Sequence, residues 1–367
     1  MVAFHPLTVI DIRRETEEAV SILFSVPPAL RDAYRFAPGQ YLTLRTRIEG
    51  EELRRSYSIC SGINDNELRV AVKTVPEGKF SHFANAHLAV GDTLDVMTPD
   101  GRFTAPIEPE KAKRYLMIAA GSGITPILSL AKTYLHAEPK SQVTLIYGNK
   151  SAASILFLED LQGLKDTYPT RFSLIHILSR QPREVPLFNG RIDREKCRAL
   201  FTGPAAPVDP VQADEVFLCG PQGMVDDATA ALSEAGVALK KIHTELFTPA
   251  DGGAAIAKAR AQRAERLSTE DRAKLRHVTV IYDGIEIELD LASDGIPILD
   301  AAMERSADIP YSCKGGMCCT CRCKVLVGDV AMDVNYALTK QETDAGFVLA
   351  CQSHPMTDEV VLDFDVK

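Results

Sequence analysis

No apolar run in this chain of 367 residues approaches the roughly 20 residues that a membrane-spanning helix requires, so no membrane partner is expected. The start, MVAFHPLTVIDIRRE, lacks the basic opening, long apolar middle and small-residue cleavage site of a secretory leader. A reducing, cytoplasmic setting is therefore expected, and in it nine cysteines are read less readily as disulfides than as ligands or packed thiols. Excess positive charge is missing too. The chain sets 41 Lys and Arg against 50 Asp and Glu, a net charge of −9, which argues against nucleic acid as a partner. Internal repeats and low-complexity tracts are absent. What remains is a globular composition, 46% hydrophobic and 25% charged, in a chain too long for one core, so two or three domains are expected.

The negative charge is unevenly placed. Residues 276–367 hold 7 Lys or Arg against 16 Asp or Glu, while the rest of the chain is balanced. Such a block is either a solvated acidic face or a docking surface that steers a basic partner over long range, and composition leaves both open.

The pattern of elements changes three times along the chain. Residues 1–109 carry short alternating runs (YLTLRTRI, ELRVAVKTV, DTLDVM) between Gly, Asn, Asp and Pro, the pattern of an antiparallel sheet or barrel, with one helix-like piece, FSHFANAHL. Residues 110–248 alternate strand-like runs (YLMIAA, VTLIYG, FSLIHILS, EVFLCG) with helix-like ones, which means a parallel sheet covered by helices. Residues 249–275 are rich in Ala and Arg and poor in large apolar side chains, and read as a partly helical linker. From residue 276 to 367 the chain opens with two alternating runs joined by Asp283-Gly284, a hairpin signal. The helix-like ILDAAMERS then leads into cysteines.

The segment CKGGMCCTCRC holds five of the nine cysteines. Cys313, Cys318 and Cys321 follow a C-x4-C-x2-C spacing, and Cys351 comes about thirty residues later in VLACQSHP. This is the plant-type spacing of a [2Fe–2S] cluster, each iron taking two thiolates. Gly315 and Gly316 allow unusual backbone angles, so that a tight loop can turn its N–H groups inward on an anionic cluster. Zinc is the competing metal, and with it a non-catalytic interaction module. A second CxxC pair and finger-spaced histidines are missing, however. Cys323 falls in a strand-like run and reads as core; Cys319 reads as a loop position. A one-electron centre calls for a converter that accepts hydride, hence for flavin and nicotinamide in the earlier blocks.

Arg55-Ser56-Tyr57-Ser58 lies in a strand-like run, where Arg55 and Tyr57 share a face. Arg55 suits a phosphate, Tyr57 an aromatic ring, and Ser58 offers a hydroxyl. Gly78-Lys79-Phe80-Ser81 precedes the helix-like piece, with Ser81 expected as its N-cap. Gly121-Ser122-Gly123-Ile124-Thr125-Pro126 sits between strand and helix, the setting that brings a dinucleotide's phosphates to helix N–H groups.

These segments resemble the ferredoxin–NADP reductase family: R-x-Y-S at Arg55–Ser58, G-x-x-S at Gly78–Ser81, and G-x-G-x-x-P at Gly121, Gly123 and Pro126 with Thr125 between. The likeness continues in C-G-P at Cys219-Gly220-Pro221 and in H-x-E-x-F from His243 to Phe247. With the cysteine block appended, the chain is similar to single-chain oxygenase reductases. The resemblance implies an FAD-binding antiparallel β-barrel, an α/β nicotinamide domain and an α+β, β-grasp ferredoxin domain. It implies that Lys73 and Gly78–Ser81 join Arg55–Ser58 around FAD. Ser179-Arg180 would hold the 2′-phosphate of NADPH in preference to NADH. Ser58, Cys219, Glu245 and Phe247 would surround the hydride-transfer site. Leu246 departs from the Arg more usual in the family. RSYSIC, DTLDVM, CRCKV and MDVNYAL look most like reductases serving the di-iron oxygenase that attacks the ring of phenylacetyl-CoA, approached through the acidic ferredoxin domain. A steroid or aromatic hydroxylase, or a hybrid-cluster protein, is the alternative acceptor.

Overall fold

A computed structural model describes residues 3–203, 206–247, 254–305 and 309–366, so the head of the expected linker lies outside the described residues. The chain divides into two compact units, Ala3–Phe247 and one containing Thr248–Lys367. Among the described residues no helix is long and apolar enough to cross a membrane.

The first unit begins with strands β1 (Phe4–Thr16), β2 (Ala19–Ser25), β3 (Tyr41–Ile48), β4 (Glu51–Ser58), β5 (Leu68–Lys73) and β6 (Thr93–Met97), with helix α1 (Lys79–Ala86) between the last two. They form an antiparallel sheet in the order β4-β3-β6-β1-β2-β5. The chain beyond β4 then meets β5 through an Ile59–Val70 bridge, which joins the two edges and closes the sheet into a barrel. Inward positions such as Leu42, Leu44, Val70 and Val96 are fully buried, as alternation along the strands requires.

Next come β7 (Arg114–Ala120), α2 (Ile124–Ala137), β8 (Gln142–Asn149), α3 (Leu158–Thr167), β9 (Phe172–Leu178), α4 (Arg194–Phe201), β10 (Glu215–Gly220), α5 (Gln222–Glu234) and β11 (Ile242–Leu246). The sheet is parallel, ordered β11-β10-β7-β8-β9. Strand order therefore reverses between β7 and β10, and the crevice beyond their carboxyl ends is where open α/β sheets bind ligands. Helix α2 is buried nearly all round, the mark of a helix with cover on every side. One face lies on the sheet. The other reaches the barrel, where Ser129 Oγ donates to the Ser61 carbonyl (2.7 Å) and the Tyr134 hydroxyl accepts from Ala105 N–H (3.0 Å). Barrel and sheet thus share a core, with Phe103 edge-on to Phe217.

In the second unit, α6 (Ala254–Arg266) and α7 (Thr269–Ala273) occupy the stretch read as a linker. They are followed by β12 (Leu275–Tyr282), β13 (Ile285–Ala292), α8 (Ile298–Met303), β14 (Arg322–Val327), β15 (Val330–Met332), α9 (Lys340–Asp344), β16 (Phe347–Leu349), β17 (Ser353–Pro355) and β18 (Glu359–Asp363). The main sheet runs β13-β12-β18-β14-β16, mixed in sense, with α8 burying Ile298 and Leu299 in its core. The β12–β13 hairpin turns on Asp283 and Gly284, both at positive φ, as the Asp-Gly signal predicts. Helix α6 has little apolar surface but is anchored by charge. Arg263 and Arg260 both pair with Asp333, whose side chain is fully buried and also meets His354 Nε2 at 3.0 Å.

Candidate functional site

Two groups of chemistry-bearing residues emerge, one in each unit. The first forms where the barrel meets the parallel sheet. Ser58, at the end of β4, directs its hydroxyl to Glu245 Oε2 at 3.3 Å. Glu245 lies beside Cys219 in the β10–β11 register. Burial pushes the Glu245 carboxyl up to about 8, with the Ser58 hydroxyl opposing. Burial, reinforced by Glu245, drives the Cys219 thiol well above its ordinary range. At neutral pH the three groups form an uncharged cluster. Phe247, one residue beyond β11, is 37% exposed and so is not core.

On the barrel side, Tyr57 rests on Phe80 of α1, ring centroids 5.5 Å apart. Arg55 is exposed on the Tyr57 face and donates to the Arg54 carbonyl at 2.7 Å. Ser56 points the other way, to Thr43 at 3.1 Å. The N-cap of α1 is Gly78, not Ser81. Ser81 instead closes the preceding turn, donating to the Gly78 carbonyl (2.9 Å) and accepting from Val75 N–H (3.2 Å). Gly78 suits this turn, because a Cβ there would fall 2.5 Å from both Ser81 Oγ and a Val75 methyl. A glycine cap leaves the first-turn N–H groups of α1 without a side-chain partner. That fits an anionic pyrophosphate. Lys73 and Lys79 face acids instead, pairing with Glu18 and Glu51.

On the sheet side, the turn Gly121–Gly123 follows β7, and α2 carries Thr125 and Pro126 in its buried first turn. A Cβ on Gly123 would lie 2.1 Å from the Cys219 carbonyl oxygen. Glycine is what lets this turn lie against Cys219-Gly220-Pro221, so two motifs about a hundred residues apart meet at the switch in strand order. Tyr147, which no sequence motif singles out, fixes the turn by donating to the Gly121 carbonyl at 2.9 Å. Ser179 and Arg180 are exposed past the end of β9, and the Arg180 N–H donates to the Lys150 carbonyl at 2.8 Å. Lys150 and Arg183 are exposed in the same neighbourhood and make it basic. No motif marks them, because single surface cations carry no pattern.

The second group is the cysteine loop. Left-handed backbone falls at Lys314, Gly316 and Cys319, not at Gly315 as expected. Gly316 is the strict requirement, since its Cβ would press on the Val334 carbonyl and side chain. Pairing of β14 with β16 places Arg322 opposite Leu349, and Ala350 N–H donates to the Cys321 carbonyl at 3.0 Å. Cys351 is thereby brought to Cys321. The thiols interact in two pairs, Cys313 with Cys318 and Cys321 with Cys351. Among the described residues no three His, Cys, Asp or Glu side chains close on one metal ion; two plus two is the donor set of a two-iron cluster. Gly315 N–H points to Cys313 Sγ at 3.3 Å, and Cys313 N–H and Thr320 Oγ1 to Cys318 Sγ at 3.5 and 3.2 Å. Hydrogen bonds from Cys318 and from the N–H groups of Gly315 and Met317 hold the Cys313 thiol down at about 6 against burial. The same pairing drives the Cys318 thiol, and that with Cys351 the Cys321 thiol, well above the ordinary range, so each pair favours one proton on its sulfurs. The N–H groups turned toward sulfur are what fits an anionic cluster. Cys323 is buried, as expected, and Cys319 is half-buried.

Three domain families match the chain: the oxidoreductase FAD-binding domain at residues 6–105, the oxidoreductase NAD-binding domain at 117–230, and the 2Fe-2S iron-sulfur cluster binding domain at 280–356. A component of the 1,2-phenylacetyl-CoA epoxidase of Escherichia coli is 47% identical over 100% of this chain and 99% of its own length. The ferredoxin reductase component of 3-ketosteroid-9-alpha-monooxygenase from Rhodococcus rhodochrous is 33% identical, covering 98% and 96%. Among solved structures, phthalate dioxygenase reductase shares the fold at TM-score 0.57 and 20% identity, over 99% of this chain and 98% of its own.

Proposed function

The chain belongs to the family of oxygenase reductase components in which FAD-binding, NAD-binding and 2Fe-2S domains follow one another, and from that membership we propose an NADPH-driven reductase that hands single electrons to the di-iron oxygenase of phenylacetyl-CoA epoxidation, in phenylacetate breakdown. The observation that carries the acceptor is 47% identity to the epoxidase component along the whole chain.

Bound FAD would take up two electrons as hydride and release them one at a time, and a [2Fe–2S] cluster would carry them singly. The protein's part is to bind, align and insulate. Tyr57 would cover one face of the flavin ring, Arg55 would pair with its pyrophosphate, and the α1 start at Gly78–Ser81 would present N–H groups to the same phosphates. NADPH lies along Gly121–Gly123 with Thr125 and Pro126 behind it. Its 2′-phosphate lies among Ser179, Arg180 and the neighbouring cations, which supports NADPH over NADH. Gly220 and Pro221 open the crevice so that the nicotinamide reaches Cys219. Ser58, Cys219 and Glu245 supply a dry, neutral wall there, and Phe247 yields its place to the nicotinamide. Alignment of flat rings at near contact, more than proton transfer, is the catalytic task. Cys313, Cys318, Cys321 and Cys351 would ligate the iron. The acidic second unit steers the oxygenase, and the free thiols suit a reducing cytoplasm.

The test mixes purified holoprotein, NADPH and candidate oxygenases. NADPH consumption coupled to epoxidation of phenylacetyl-CoA is the expected result. Coupling only to a steroid hydroxylase or another acceptor would overturn the assignment of acceptor while leaving the electron chain intact.

A further inference from the structure

Gln352 follows the last of the four thiols and is completely buried. Its amide nitrogen lies 2.9 Å from the Lys314 carbonyl oxygen, in the loop carrying Cys313 and Cys318, and 3.5 Å from Cys351 Sγ. Both partners are acceptors. The two amide hydrogens must therefore face them, because a flipped amide would set its oxygen against a carbonyl and a sulfur. Oε1, on the other side, is buried and accepts no hydrogen bond among the described residues. An amide oxygen left without a partner inside a protein is costly, because it loses its hydrogen bonds to water and gains none. A methionine of similar size would avoid that cost, so the position is explained only by what the N–H side does. The residue is held firmly. Its carbonyl accepts from Asp333 N–H at 2.8 Å, and its Cγ lies 3.4 Å from where a Cβ on Gly316 would stand.

We propose that Gln352 is a positioning residue for the [2Fe–2S] cluster. It ties the Cys313–Cys318 loop to the Cys351 turn and donates an N–H to the Cys351 sulfur, raising the cluster's midpoint potential. The inference rests on Cys313, Cys318, Cys321 and Cys351 being the ligands. A donor to a ligating sulfur draws charge from it and favours the cluster form that has gained an electron. One nitrogen serves both partners, so loop closure and potential are set together.

The test is Gln352→Met in the full-length holoprotein, followed by redox titration of the cluster. The expected result is wild-type iron and sulfide content with a lower potential, about tenfold in the one-electron equilibrium or ~59 mV. An unchanged potential with a full cluster overturns the proposal. Should Gln352→Met fail to hold iron, the wild-type protein decides. With nitrogen-15 in the glutamine side chains, pulsed electron paramagnetic resonance of the reduced cluster should show a coupled amide nitrogen, and its absence overturns the proposal. Wild-type protein that takes up no cluster from iron and sulfide would overturn the ligand assignment itself.

Discussion

Ser58 and Glu245 stand 187 residues apart in the chain and 3.3 Å apart in space, whereas Cys313, Cys318 and Cys321 come from one loop and recruit a single distant partner, Cys351. The two regions also treat charge differently. Around Glu245 burial outweighs the Ser58 hydroxyl, and both the carboxyl and the Cys219 thiol stay protonated. Around Cys313 a sulfur and several N–H groups converge and hold its thiol down against burial, while its partner Cys318 is driven well above its ordinary range. One region keeps charge out of a crevice, as alignment of flat rings there would require; the other turns N–H donors toward sulfur, as an anionic cluster would require. A site assembled from distant strands depends on the whole unit, while a loop site depends on its own backbone.

Removing a thiol tests that independence and should have the largest effect. Cys351→Ser is expected to lose the cluster's iron, sulfide and visible absorption while NADPH still reduces the flavin at the wild-type rate in stopped flow. Loss of flavin reduction as well would show that the two regions are not separable. Cys319→Ser should keep its iron; losing it would redraw the ligand set.

The neutral crevice can be tested by pH. A folded-state pKa raised to about 8 means that Glu245 contributes stability fully below the carboxylate range of the unfolded chain, and that this is lost as pH rises through about 8. Flavin reduction by NADPH should fall about tenfold between pH 7 and pH 9 as Glu245 ionises. Glu245→Gln should flatten that profile and unfold at higher temperature than wild type above pH 8. A profile in Glu245→Gln that still falls near pH 8 would assign the titration to another group. Cofactor choice is a smaller matter. Arg180→Ala should raise KM for NADPH about tenfold, the worth of a hydrogen bond to a charged group, and leave KM for NADH nearly unchanged.

Legibility differs between the regions for the same physical reason. The cysteine loop and the Gly121–Pro126 turn are local, so their residues read directly, and strand-like runs suffice for the barrel and the parallel sheet. The meeting of Ser58 with Glu245 can be reached only through family likeness, since nothing local ties β4 to β11. Ser81 reads as a cap because serine favours that position; the tight approach of Gly78 to Val75 decides otherwise. Helix α6 is invisible to hydrophobic periodicity because two arginines on buried Asp333, not an apolar stripe, hold it. Gln352 belongs to no motif, and only its partners give it meaning.

The smallest effect concerns docking, and it separates steering from contact. Glu286, Glu288 and Asp290 are exposed on β13, one edge of the second unit's sheet. The thiol loops adjoin β14 and β16, at the other edge. Acids on the edge opposite the thiol loops are placed to guide a basic partner rather than to lie under it when electrons leave by those loops. Reversing the three charges together, as Glu286→Lys, Glu288→Lys and Asp290→Lys, should slow electron delivery to the oxygenase a few-fold at low ionic strength. The difference should vanish near 1 M salt, where screening acts within about 3 Å, and the rate at saturating oxygenase should not change. A lower saturating rate at every salt concentration would mean that β13 itself lies in the contact, and that electrons leave the cluster toward that edge.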